Sequence, residues 1–193
     1  MAGLRLSWRA TGLCLGLLAL AACASAPAPI ASHWPGSDRP PAAWDDEDAG
    51  FPLYGAPRVL TDTAPLQCVP FARSASGIEI YGDAVTWWEQ AAGKYPRSNL
   101  PAPGSVLVLE GYSDASRGHV AVVTNIVSQR VIRVDQANWL NGGEISLNVP
   151  VLDVSPNNDW SEVRVWHIPG RHWGGRVYRA EGFIHNFLLA SSS

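Results

Sequence analysis

Residues 105–138 read SVLVLEGYSDASRGHVAVVTNIVSQRVIRVDQAN. Three runs of β-branched and aliphatic residues stand out in it, Ser105–Leu109, Val120–Val127 and Val131–Val134, and the Gly, Asp and Ser residues between them are turn formers, which predicts strands joined by short loops. A weaker run, Ile145–Val149, and a further one, Val163–Ile168, extend the series. Upstream the period changes. QCVPFARSAS, residues 67–76, reads as a short helix, with Pro70 tolerated because the first turn of a helix has no use for its N–H. Gly82 and Asp83 read as a stop and a new N-cap, so that Ala84–Ala92 forms a second helix closed by Gly93. Lys94–Gly104 is a Pro-containing loop. Helices first and strands afterwards predict an α+β domain with helices packed on an antiparallel β-sheet. No internal repeat is visible.

The chain has 193 residues, enough for one compact domain once a leader and a tail are set aside. Hydrophobic residues make up 47% and charged ones 16%, which fits a packed body rather than a fibre or a disordered acidic chain. The net charge of −3 falls by two, to −5, if the segment carrying Arg5 and Arg9 is removed. That is no footprint for holding nucleic acid, and no such partner is expected.

Residues 1–22 have the layout of a secretory leader: Arg5 and Arg9, then the apolar run ATGLCLGLLALAA, then small residues. The run is too short to span a bilayer as a permanent helix. Leu20-Ala21-Ala22-Cys23 resembles a bacterial lipobox, which implies cleavage before Cys23 and a diacylglyceryl group on its sulfur; an ordinary cut after Ala24-Ser25-Ala26 is the other reading. Both export the protein, to the periplasmic side of a bacterial envelope if the lipobox holds. Residues 23–64, rich in Ala, Pro, Ser and Asp and without a period of 2 or 3.6, read as a tether and arm, with Trp44, Phe51, Leu53 and Tyr54 marking where packing begins.

Three cysteines then resolve into one of interest. Cys14 lies inside the leader and Cys23 is acylated or discarded, which leaves Cys68 alone in the folded body with no intramolecular partner. In an oxidising compartment a lone thiol is buried, paired between chains, or used. A helix N-terminus lowers a thiol pKa, and the expected helix starts at Cys68. His119 follows Arg117-Gly118 and precedes VAVV, which sets an imidazole at the mouth of a strand, and the next strand ends in Asp135, so that two adjacent antiparallel strands could bring base and acid together.

Five blocks carry a resemblance: Gln67-Cys68-Val69-Pro70-Phe71-Ala72-Arg73; Gly82-Asp83-Ala84 with Trp87 and Trp88; Pro103–Leu109; Gly118–Val123; and Asp135-Gln136-Ala137-Asn138-Trp139. In this order and spacing they resemble the CHAP family of cysteine, histidine-dependent amidohydrolases and peptidases. The resemblance implies a papain-like fold, a catalytic domain over 65–170 and a C-terminal extension over 171–193. It also implies peptidoglycan peptides as substrate, cleaved at stem-peptide, crossbridge or muramoyl-alanine amides, with no cofactor. By position it makes Cys68 the nucleophile, His119 the general base, Asp135 the acidic third member and Asn138 a polar assistant, with Trp139 on the substrate groove. Two residues separate Asp135 from Asn138 where relatives commonly have one, and Ser105 stands where many carry Asp.

A metal site is not expected, since one usable cysteine and scattered histidines (His33, His167, His172, His185) offer no ligand spacing. Of the nine tryptophans, Trp87, Trp88 and Trp166 are expected in the core. Besides a cell-wall hydrolase, the sequence allows a catalytically silent envelope-binding module, or an amidase or acyltransferase on a small molecule.

Overall fold

The computed structural model describes residues 51–61 and 63–187. The leader, the lipobox with Cys23 and most of the tether lie outside them.

Among the described residues nine strands form one antiparallel sheet: β1 Arg58–Val59, β2 Arg97–Ser98, β3 Val106–Leu109, β4 His119–Ile126, β5 Val131–Ala137, β6 Ile145–Asp153, β7 Glu162–His167, β8 His172–Trp173 and β9 Tyr178–Ile184. Following the pairings gives β6-β5-β4-β3-β9-β7, and β7 returns to β6, so six strands close into a barrel. Closure runs through Val151 and Leu152 of β6, which pair with β5 on one side and β7 on the other. The arm adds β1 to the open end of β6, with Leu60 N–H donating to Ile145 O at 2.8 Å.

This overturns the expected fold class. The protein is mostly β, a closed barrel with added strands, and not an α+β papain-like arrangement of helices on an open sheet. Among the described residues, helices are confined to α1 Phe51–Tyr54, α2 Cys68–Ser76, a 3-10 turn at Ala84–Thr86 and α3 Trp87–Ala91. Two segments make the difference. The weak run at Ile145 continues through Pro150 to Asp153, nine residues that serve two neighbours. Tyr178–Ile184, set apart as an extension, is the strand that joins β3 to β7.

The barrel strands are apolar on both faces because both faces are covered, which is why they read as continuous runs rather than alternations. Leu107 and Leu109 of β3, Ala121 and Val123 of β4, and Ile132 and Val134 of β5 point inward with Trp160 and Phe183. Val106, Val108, Val120 and Val122 point outward into a second cluster, where Ala72 of α2 and Trp87 and Ala91 of α3 cover them. Each such aliphatic side chain contributes roughly 1.5–3 kcal/mol by leaving water. The alternation fixes which residues at the strand ends face the barrel mouth. His119 continues the inward series of Ala121 and Val123, and Gln136 that of Ile132 and Val134, whereas Asp135 belongs to the outward set.

Helix α2 starts directly on Cys68, with Gln67 as an extended N-cap that makes no side-chain capping bond. It ends where Gly77 takes a left-handed conformation, φ 76°, and its N–H donates to Arg73 O at 2.9 Å. Gly at that position avoids the Cβ penalty of positive φ.

Candidate functional site

A cleft of about 680 Å³ opens at one end of the barrel, and Cys68, His119, Asn138 and Trp139 all line it. The thiol lies against the backbone N–H of Val120, the residue after His119, so thiol and imidazole share one strand end. Gly118 allows this tuck: a Cβ there would stand 2.8 Å from Val85 N and 3.0 Å from Leu109 O.

His119 Nε2 is 2.9 Å from Gln136 Oε1. With the amide oxygen as acceptor, Nε2 carries the ring proton and Nδ1 keeps its lone pair. Trp139 packs edge-on against the imidazole, ring centroids 4.8 Å apart and planes at 70°. Asp135, expected to orient His119, does not reach it. Its carboxylate accepts from Asn148 N–H at 2.8 Å on the outer face of β5, where burial raises its pKa against the opposing pull of that N–H and of Arg58.

Asn138 does not touch His119 either. It sits in the left-handed region, φ 59°, which Asn tolerates better than most residues. Its Nδ2 donates to Gln67 Oε1 at 2.7 Å, and its Oδ1 accepts from Gly143 N–H at 2.9 Å. Asn138 therefore ties the residue before Cys68 to the loop joining β5 and β6. Glu144 holds the same loop, accepting from Leu140 N–H at 2.6 Å and Gly142 N–H at 3.0 Å, and its charge acts on His119.

The electrostatics differ from the expectation of a lowered thiol pKa. The N–H groups of Val120, Val69 and Cys68 do favour the thiolate, but burial outweighs them and pushes the Cys68 thiol above its ordinary value. Burial also pushes His119 down, to about 4, against the opposing effects of the Gln136 hydrogen bond and Glu144. The ring keeps an edge in the cleft and is only partly enclosed. Both groups are thus neutral at pH 7.

Gln136 and Glu144 were missed by reading the sequence. The signal for Gln136 was present twice: strand alternation turns it, not Asp135, to the His119 side, and one residue separates it from Asn138, the commoner family spacing.

A closed antiparallel barrel with a thiol at a helix start and an oriented imidazole at its mouth has the parts of a thiol-dependent acyl-transfer site. Residues 60–138 match the model of the CHAP domain. Domains of this family are generally hydrolases, amidases and peptidases of the peptidoglycan-hydrolase type. No curated protein matches it.

Proposed function

We propose that this protein is a cysteine hydrolase that cleaves amide bonds in peptidoglycan peptides, with Cys68 as nucleophile and His119 as general base. The observation that carries the reading is the His119 Nε2 to Gln136 Oε1 bond, because it leaves a basic Nδ1 in the cleft shared with the only thiol among the described residues.

As Cys68 Sγ attacks the scissile carbonyl carbon, its proton passes to His119 Nδ1. Neutral starting partners make this a proton transfer concerted with attack rather than reaction of a standing thiolate. The oxyanion is held by Cys68 N–H, which has no intrahelical partner at the first position of α2. Gln67 supplies a second donor: its Oε1 is taken by Asn138, and its Nε2 hydrogens remain for the substrate. His119 then protonates the leaving nitrogen, the C–N bond breaks and a thioester remains. Water, giving its proton to His119, attacks that thioester, and the C–S bond breaks to return the thiol.

Gln136 is in this scheme a positioning residue for the imidazole, and Asp135 a structural one. Gln136→Ala is expected to lower kcat by about 10²-fold, and Asp135→Asn by less than about threefold, in release of amines from purified peptidoglycan. Gln136→Glu, which puts a carboxylate against the ring, raises the acid limb of the pH profile, whereas a merely structural Gln136 leaves it in place. Equal losses for Gln136→Ala and Asp135→Asn would refute the assignment.

The protein is further proposed to act at the envelope surface through an acylated Cys23, which the lipobox-like Leu20-Ala21-Ala22-Cys23 supports. Labelled fatty acid fed to a bacterial host is expected to enter the wild-type chain and not Cys23→Ser. Equal labelling of both would remove the anchor.

A further inference from the structure

We infer that Arg176 is the carboxylate-recognising residue of the cleft, and hence that the substrate is a peptide carrying a free carboxylate several residues from the bond attacked by Cys68. The inference rests on the hydrolase reading above and specifies its substrate.

A run of rings leads away from the imidazole. Trp139 packs on His119 at 4.8 Å, Tyr178 on Trp139 at 5.0 Å, Tyr112 on Tyr178 at 5.4 Å, and the Arg176 guanidinium lies 4.8 Å over the Tyr112 ring. All five residues line the same cleft. Aromatic faces of this kind pack on peptide planes and aliphatic stems, which orients an elongated ligand without reading its charge. An extended chain advances about 3.3–3.6 Å per residue, so four steps of about 5 Å set the guanidinium no more than about six residues from the imidazole.

Among the described residues the other charges lining the cleft have polar partners, and Arg176 does not. The cleft's acids are engaged locally: Glu110 faces Arg179 at 3.5 Å, and the Asp114 carboxylate accepts from Ser116 N–H and Oγ–H at 2.9 and 2.6 Å. Arg117, also in the cleft, acts on the Asp114 carboxylate, whereas Arg176 has no ion pair among the described residues. A guanidinium already stacked on a ring loses little freedom on binding, and its planar fork matches a carboxylate bidentately. A solvated surface arginine has no need of a place at the end of an aromatic wall inside the cleft.

The test is binding, so that it does not depend on turnover. Soluble muropeptides released from peptidoglycan by a muramidase are titrated calorimetrically into the full chain carrying Cys68→Ala, before and after their carboxylates are amidated. Amidation is expected to raise Kd about tenfold for Cys68→Ala and by less than about twofold when Arg176→Gln is added, with Arg176→Lys intermediate. Arg176 is exposed, so the melting temperature should not move on its replacement. Equal sensitivity to amidation with and without Arg176, or no binding of either muropeptide set, overturns the inference. Arg176-dependent binding with no hydrolysis by the wild type overturns the hydrolase reading instead and leaves the carboxylate subsite standing.

Discussion

Cys68→Ala is expected to abolish turnover, with a loss of about 10⁴–10⁶-fold in the release of amines from peptidoglycan. The size follows from the scheme: without Sγ there is no thioester, and what remains is oriented water and the oxyanion donors, which in comparable covalent enzymes leave only a small residue of the rate. The fold should survive. Cys68 packs only at the edge of the outer cluster, and Ala is a stronger helix former at the start of α2. A second reading separates this account from one based on a standing thiolate. Because burial holds the thiol above its ordinary pKa, iodoacetamide should label Cys68 slowly at pH 7 and faster as the pH rises. Rapid, pH-independent labelling down to pH 5 would mean an ion pair and contradict the neutral resting state.

His119→Gln is expected to lower kcat by about 10³–10⁴-fold, the range for loss of a positioned general base. The wild-type profile carries the argument further. With His119 pushed down to about 4, the base stays neutral to lower pH than an ordinary imidazole, so the acid limb of kcat/KM falls near 4 and not near 6.5. Stability moves in the same window. Between about 6.5 and about 4 the unfolded chain takes up a proton that the folded ring refuses, so stability falls as the pH drops across it. At about 1.36 kcal/mol per unit the loss is no more than about 3.5 kcal/mol, and less to the extent that the ring's cleft edge is solvated. In His119→Gln that part of the acid destabilisation disappears. A variant melting with the same pH dependence as wild type over this range would show that the ring is not the group refused its proton.

The candidate site residues Cys68 and His119 were more legible in the sequence than the architecture that holds them. Cys68 was singled out by elimination among three cysteines, and its helix was expected over residues 67–76 with Pro70 in the first turn. His119 was marked by a strand mouth. The barrel was hidden because its closing strand, YRAEGFI at 178–184, mixes charge with a glycine and lacks the β-branched density of Val106–Leu109. Only pairing on both edges, with β3 and with β7, makes it a strand. A Pro inside Ile145–Asp153 disguised the other closing element in the same way.

The partner of His119 shows a different limit. An acid beside an imidazole is the pairing that charge suggests, and Asp135 offered it, but side chains alternate across a strand and Asp135 leaves by the outer face. The amide of Gln136 takes its place. A neutral partner fixes the tautomer without stabilising an imidazolium, which agrees with the downward shift of the ring and with the neutral pair on which the proposed mechanism depends. The aromatic wall from Trp139 to Tyr112 joins residues from three separate stretches of chain, and only folding sets them in line.

Cys68-dependent hydrolysis of peptidoglycan amides is most directly tested by incubating purified peptidoglycan with the wild-type chain and with Cys68→Ala, and following new amino termini by mass spectrometry of the released fragments. The account predicts new termini, at a muramoyl-alanine bond or within the peptide, from the wild type and none from the variant. Equal release by both proteins, or none by the wild type, would contradict it.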